Sequence, residues 1–92
     1  MVAGVRYTCG DYVEGKWLNP IGVPMMIRGR VEFSDVPGDL DPKVWVGVDF
    51  WKVLPTPTTP AGEWKRAHLE PGIRVWRSQM WRIPAPPRRR RP

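Results

Sequence analysis

A chain of 92 residues has room for one small domain and excludes a second, catalytic one. Its formal charge of +6 is uneven, because residues 64–92 carry nine basic side chains and one acidic, whereas residues 1–63 carry six basic and eight acidic. Basic character therefore sits in the C-terminal third and points to an anionic partner, with a merely solvated extension as the alternative.

Cys9 is the single cysteine, which excludes an intrachain disulfide and fits a reducing compartment. The N-terminal residues lack an apolar run behind a basic region, and no stretch of about 18 consecutive apolar residues occurs. The expectation is an unprocessed cytoplasmic protein, of a cell or of a virus growing in one, with no membrane partner.

Twelve prolines and nine glycines interrupt nearly every window of helical length, so the pattern is all-β. Val5 to Cys9 alternates as a first strand, and a second extended stretch runs from Tyr12 to Trp17 after Gly10-Asp11. Residues 19–24 form a long turn. Met25 to Ser34 alternates again, with Ile27, Gly29, Val31 and Phe33 on one face and Arg28, Arg30 and Glu32 on the other. The acidic segment Asp35 to Pro42 is rich in turn formers and reads as a projecting loop.

Lys43 to Trp51 is the clearest strand, placing Val44, Val46, Val48 and Phe50 inward and Lys43, Trp45, Gly47, Asp49 and Trp51 outward. Pro55 to Pro60 reads as a stiff polyproline-like connector, and Trp64 to Leu69 as a strand or one helical turn. Ile73 to Trp76, a tight turn over Arg77-Ser78-Gln79 and Met80 to Ile83 close the domain, which spans residues 1–84. Residues 85–92, Pro-rich and ending in Arg88 to Arg91, bury no apolar surface and read as a disordered tail.

Five or so short strands around one long loop describe a small barrel. Gly10-Asp11-x-Val13, Gly29-Arg30-Val31 and Val44-Trp45-Val46-Gly47-Val48 resemble the SH3-like barrel pattern of KOW-type modules over residues 5 to 50. Residues 75–83 resemble the strand, single 3₁₀ turn and last strand that end such barrels. The resemblance implies an association with RNA, ribosomes or transcription complexes, although barrels of this kind serve many partners.

Six tryptophans are the compositional outlier. Trp45, Trp51 and Trp76 are expected to face outward and to offer a stacking or interface platform, whereas Trp17, Trp64 and Trp81 are assigned to packing. Arg28 and Arg30 share an outward face with Glu32, while Arg74, Arg77 and Arg82 stud the last two strands; if those strands are neighbours, a basic stripe runs up to Arg88, Arg89, Arg90 and Arg91. The alternative for these arginines is a solvated face paired with Glu14, Glu32 and Glu70.

Catalysis lacks its parts. His68 is the only histidine, and no Cys-x-x-Cys pair, phosphate loop, dinucleotide fingerprint or calcium-loop spacing among Asp35, Asp39 and Asp41 is present. The expectation is a non-enzymatic module without metal or cofactor that contacts nucleic acid or a nucleoprotein. The rival is a small adaptor, inhibitor or minor structural component, possibly phage-encoded, that docks on a host or virion protein through its Trp-rich face.

Overall fold

Valines and isoleucines spaced two apart need a sheet with one dry face, and the chain forms one. The computed structural model describes residues 5–34, 41–67 and 72–86. Six strands follow in chain order: β1 (Tyr12–Leu18), β2 (Pro24–Val31), β3 (Lys43–Val53), β4 (Lys65–Arg66), β5 (Ile73–Trp76) and β6 (Met80–Arg82), with a 3₁₀ turn over Arg77–Gln79 between the last two. They make a single antiparallel sheet in the order β4-β3-β2-β1-β6, and β5 pairs with the first half of β3 beside β4. No ladder joins β5 to β6 among the described residues. The 3₁₀ turn carries the chain from one edge of the curled sheet to the other.

Val13, Ile27, Val31, Val46 and Val75 are fully buried on the inner face, where Val44, Val48, Ala67 and Met80 join them. Each buried Val, Ile or Met side chain among them contributes roughly 1.5–3 kcal/mol relative to exposure. Opposite edges of the sheet approach closely here: a Cβ at Gly15 of β1 would press on Met80 Cβ at 2.9 Å and Val75 Cγ1 at 3.2 Å. Glycine at this position lets β1 meet both closing strands.

The β1–β2 connection is organised by Asn19. Its carbonyl oxygen Oδ1 accepts from the amides of Ile21 (3.1 Å) and Val23 (2.8 Å), while the Gly22 amide donates to the Asn19 main-chain carbonyl at 2.9 Å. Gly22 has φ +88°, which a side chain would disfavour.

β3 departs from strict alternation. Arg28 of β2 faces Phe50, but Gly29 faces Val48, so Asp49 is an extra residue on β3. Val44, Val46 and Val48 point inward as expected; beyond the bulge the faces exchange. Trp51 turns in and packs against the core, and Phe50 turns out beside Arg28. The outward placement of Trp51 and inward placement of Phe50 are thus both corrected.

Other expectations change for local reasons. Val5 to Cys9 joins no ladder, and Cys9 lies in a turn closed by the Asp11 amide on the Thr8 carbonyl at 2.9 Å: Tyr7 is buried, yet Val5 and Cys9 are exposed, and the Cys9 thiol donates to the Glu32 carbonyl at 3.2 Å. Strand β2 ends at Val31, so Phe33 loses its inward register and is 65% exposed. Thr56 and Thr59 bond to each other's main chain at 2.8 and 3.2 Å, which makes the proline-rich connector a tight turn. Residues 35–40, His68 and Leu69 lie outside the described residues, as do Arg88 to Arg91.

Candidate nucleic-acid interface

The outer face of the sheet carries two clusters in which aromatic rings and cations alternate. The first lies where β5 pairs with β3. Val44 and Val75 are opposite one another and point inward, so their neighbours point out: Trp45 stands opposite Arg74, and Lys43 opposite Trp76. Trp45 is 40% and Trp76 49% exposed. The Lys43 ammonium lies 4.8 Å from the Trp76 ring centre, and the Arg74 guanidinium 5.9 Å from that of Trp45. Asp41 holds this end together, accepting from Arg74 Nη2 at 2.6 Å and from the Lys43 amide at 2.9 Å.

The second cluster lies across the middle of the sheet. Trp81, Glu14, Arg28, Phe50 and Arg66 form one transverse row from β6 to β4, each paired with the next across the ladders. Arg28 donates from Nε to Glu14 at 2.7 Å and lies 4.2 Å from the centre of the Trp64 ring, which Lys52 approaches at 4.9 Å. Arg30 covers Tyr12 at 5.2 Å, and Arg66 lies 5.9 Å from Phe50. Burial, with a further push from Asp49, raises the Tyr12 hydroxyl above its ordinary pKa, against the opposing pull of Arg28 and Arg30. Among the described residues, Arg30, Lys52 and Arg66 form no ion pair.

The expected stripe of Arg74, Arg77 and Arg82 does not form. Strands β5 and β6 sit at opposite edges of the sheet, so their arginines diverge. Arg77 is 7% exposed; its Nε and Nη2 donate to the Asp41 carbonyl at 3.1 and 2.7 Å, and its Nη1 donates to the Val5 carbonyl at 2.6 Å. Arg82 lies at the end of the sheet near the N-terminal segment, 4.8 Å from the Tyr7 ring, and bonds Asp11 at 3.0 Å and the Arg6 carbonyl. The Thr8 amide holds the Asp11 carboxyl below its usual pKa; burial opposes this, and Arg82 adds to the lowering through its hydrogen bond and its charge. Arg77 is therefore a structural clasp. Arg82 is largely spent in the same way.

Trp81, assigned to packing, is 40% exposed and opposite Glu14. Trp64 does pack, but against cations on the outer face. Lys43, Lys52, Phe50 and Arg66 join the candidate surface and are not among the residues that the sequence alone singles out. Lys43 carried a signal, since it shares the outward register of Trp45; the others depend on the bulge and on the two-residue pairing of β4.

No group of His, Cys, Asp and Glu side chains suited to a metal ion occurs among the described residues, and no described helix is long and apolar enough to cross a membrane. No protein-family model, curated protein or solved structure matches the chain.

Proposed function

We propose that this chain is a non-enzymatic binding module of the SH3-like barrel kind that holds nucleic acid, free or in a nucleoprotein, within the cytoplasm. One observation carries the reading: Trp45 and Trp76 stand exposed on the outer face, each against a cation, Arg74 or Lys43. Ring faces stack on bases whatever the sequence, and cations beside them neutralise phosphates, so the arrangement supplies both parts of sequence-tolerant binding. The strand order and the 3₁₀ link between the last two strands support the resemblance to KOW-type modules.

The rival is an adaptor that docks on a protein, and the Asp41–Arg74 pair favours it. That pair spends one of the patch's two cations within the fold, leaving a Trp- and Arg-rich surface of the kind that dominates protein interfaces.

The two readings separate in a salt titration of a fluorescent single-stranded oligonucleotide with wild type, Trp45→Ala and Trp76→Ala. Nucleic-acid binding is expected to weaken log-linearly with salt, and each alanine to cost about 1–3 kcal/mol of affinity with little change in melting temperature. Binding that is indifferent to both salt and tryptophan would sink the nucleic-acid reading. A large fall in melting temperature in both variants would place the rings in the core and remove the platform.

A further inference from the structure

The second outer cluster encloses a groove of about 390 Å³, within the range of ligand-sized sites. Phe50 and Arg28 line it together with Tyr12 and Trp64, and the chain leaving β6 supplies the remaining wall through Ile83, Pro84 and Pro86. The wall is anchored, because the Ile83 amide donates to the Tyr12 carbonyl at 3.1 Å.

We propose that this groove is a second contact for the same partner, and that the partner is a single-stranded nucleic acid, a base stacking on Phe50 and its phosphates meeting Arg66, Lys52 and Arg30. The proposal rests on the nucleic-acid reading above and adds to it the strandedness and a second place of contact.

Charge complementarity selects the occupant. Glu14 is paired with Arg28, and against the single carboxylate of Asp49, which acts on Tyr12, stand Arg30, Lys52 and Arg66 with no ion pair among the described residues, so positive charge prevails around the aromatic-lined cleft. A ligand that suits both features has a flat apolar face and a negative charge close by, as a nucleotide unit has. Trp64 on one side and Glu14 on the other fix Arg28 beside Phe50, so its guanidinium is positioned before binding.

A duplex would not use the groove, because paired bases have their faces covered by their own neighbours, whereas unpaired bases can splay onto aromatic side chains.

The test titrates the full chain with a fluorescent oligonucleotide, single-stranded and annealed to its complement, and compares wild type with Phe50→Leu, Arg66→Ser and the double variant Trp45→Ala/Trp76→Ala. Leucine keeps apolar bulk at position 50 and removes the ring face. Phe50→Leu is expected to weaken single-strand binding roughly 5- to 150-fold, the equivalent of about 1–3 kcal/mol per stacked base. Arg66→Ser is expected to reduce the slope of log affinity against log salt by about 0.7, one phosphate of a single strand. Thermal melting accompanies each titration; Arg66 is exposed on a two-residue edge strand, so its variant decides the matter should Phe50→Leu melt early. Wild-type affinity in both groove variants, together with loss in the tryptophan double variant, would overturn the groove and leave the proposed function standing. Duplex bound as tightly as single strand would overturn the strandedness. Failure of the wild type to bind either form would remove both.

Discussion

Arg77 is a charge the fold consumes. Taking a guanidinium out of water costs several kcal/mol unless its donors are met, and here three charge-assisted bonds to main-chain carbonyls meet them. The geometry suits arginine alone, since a lysine ammonium cannot reach two carbonyls on separate segments from a planar fork. Through it the N-terminal segment at Val5, the loop at Asp41 and the turn between β5 and β6 are tied at one point. Arg77→Met keeps the apolar stem and leaves the Val5 and Asp41 carbonyls without this donor. The expected loss is at least about 2 kcal/mol in urea unfolding, the range for bonds that involve a charged group. An unchanged unfolding midpoint would show that water replaces the guanidinium at no cost. The basic residues therefore cannot be summed as a binding surface: Arg77 and Arg82 serve the fold, Arg74 is shared with Asp41, and Lys43, Arg30, Lys52 and Arg66 face outward without an ion pair among the described residues.

Among the elements, β3 determines what the outer face presents. Its first half is legible from the sequence, because Val44, Val46 and Val48 alternate with Lys43, Trp45, Gly47 and Asp49 and a half-buried strand follows directly. Its second half is not. A bulge is a property of a pair of strands, and nothing in Val48-Asp49-Phe50-Trp51 reveals that Gly29 will sit opposite Val48 while Arg28 sits opposite Phe50. The single extra residue sends Phe50 to the groove and Trp51 to the core, reversing the roles that alternation assigns. Trp45 lies before the bulge, and Trp76 lies on β5 opposite Lys43 at the far end of that same regular half, which is why their exposure follows from alternation. The approach of β2 to β3 at this point depends on Gly29: a Cβ there would collide with the Gly47 carbonyl, a main-chain group that cannot rotate away. Gly29→Ala is expected to destabilise by about 1–3 kcal/mol, as overpacking does, and to move Phe50 as the strands part. Equilibrium unfolding together with the fluorescence of the nearby tryptophans measures both effects. A variant as stable as wild type would mean that the strands separate freely at the bulge and that the outward position of Phe50 is not fixed by it.

For the whole molecule, the division of charge along the sequence becomes a division of labour. Three of the six acidic residues that the structure describes in the first two thirds hold cations in place: Asp11 with Arg82, Glu14 with Arg28, and Asp41 with Arg74. These partnerships join segments far apart in sequence and are invisible to charge counting, which sees an acidic body and a basic end. The tail is different, because four of the fifteen basic residues follow Pro86 in a stretch with no apolar side chain to bury. Ending the chain after Pro86 keeps the groove wall intact and removes only those arginines with the prolines around them. Folding is expected to be unaffected, with the melting temperature of the shortened chain equal to that of the full one. Oligonucleotide affinity is expected to fall, and the slope of log affinity against log salt to flatten by up to about 3, four phosphates at roughly 0.7 each. A drop in melting temperature would show that residues 87–92 are docked on the domain, and an unchanged salt slope would show that the arginines stay in water while the sheet alone does the binding.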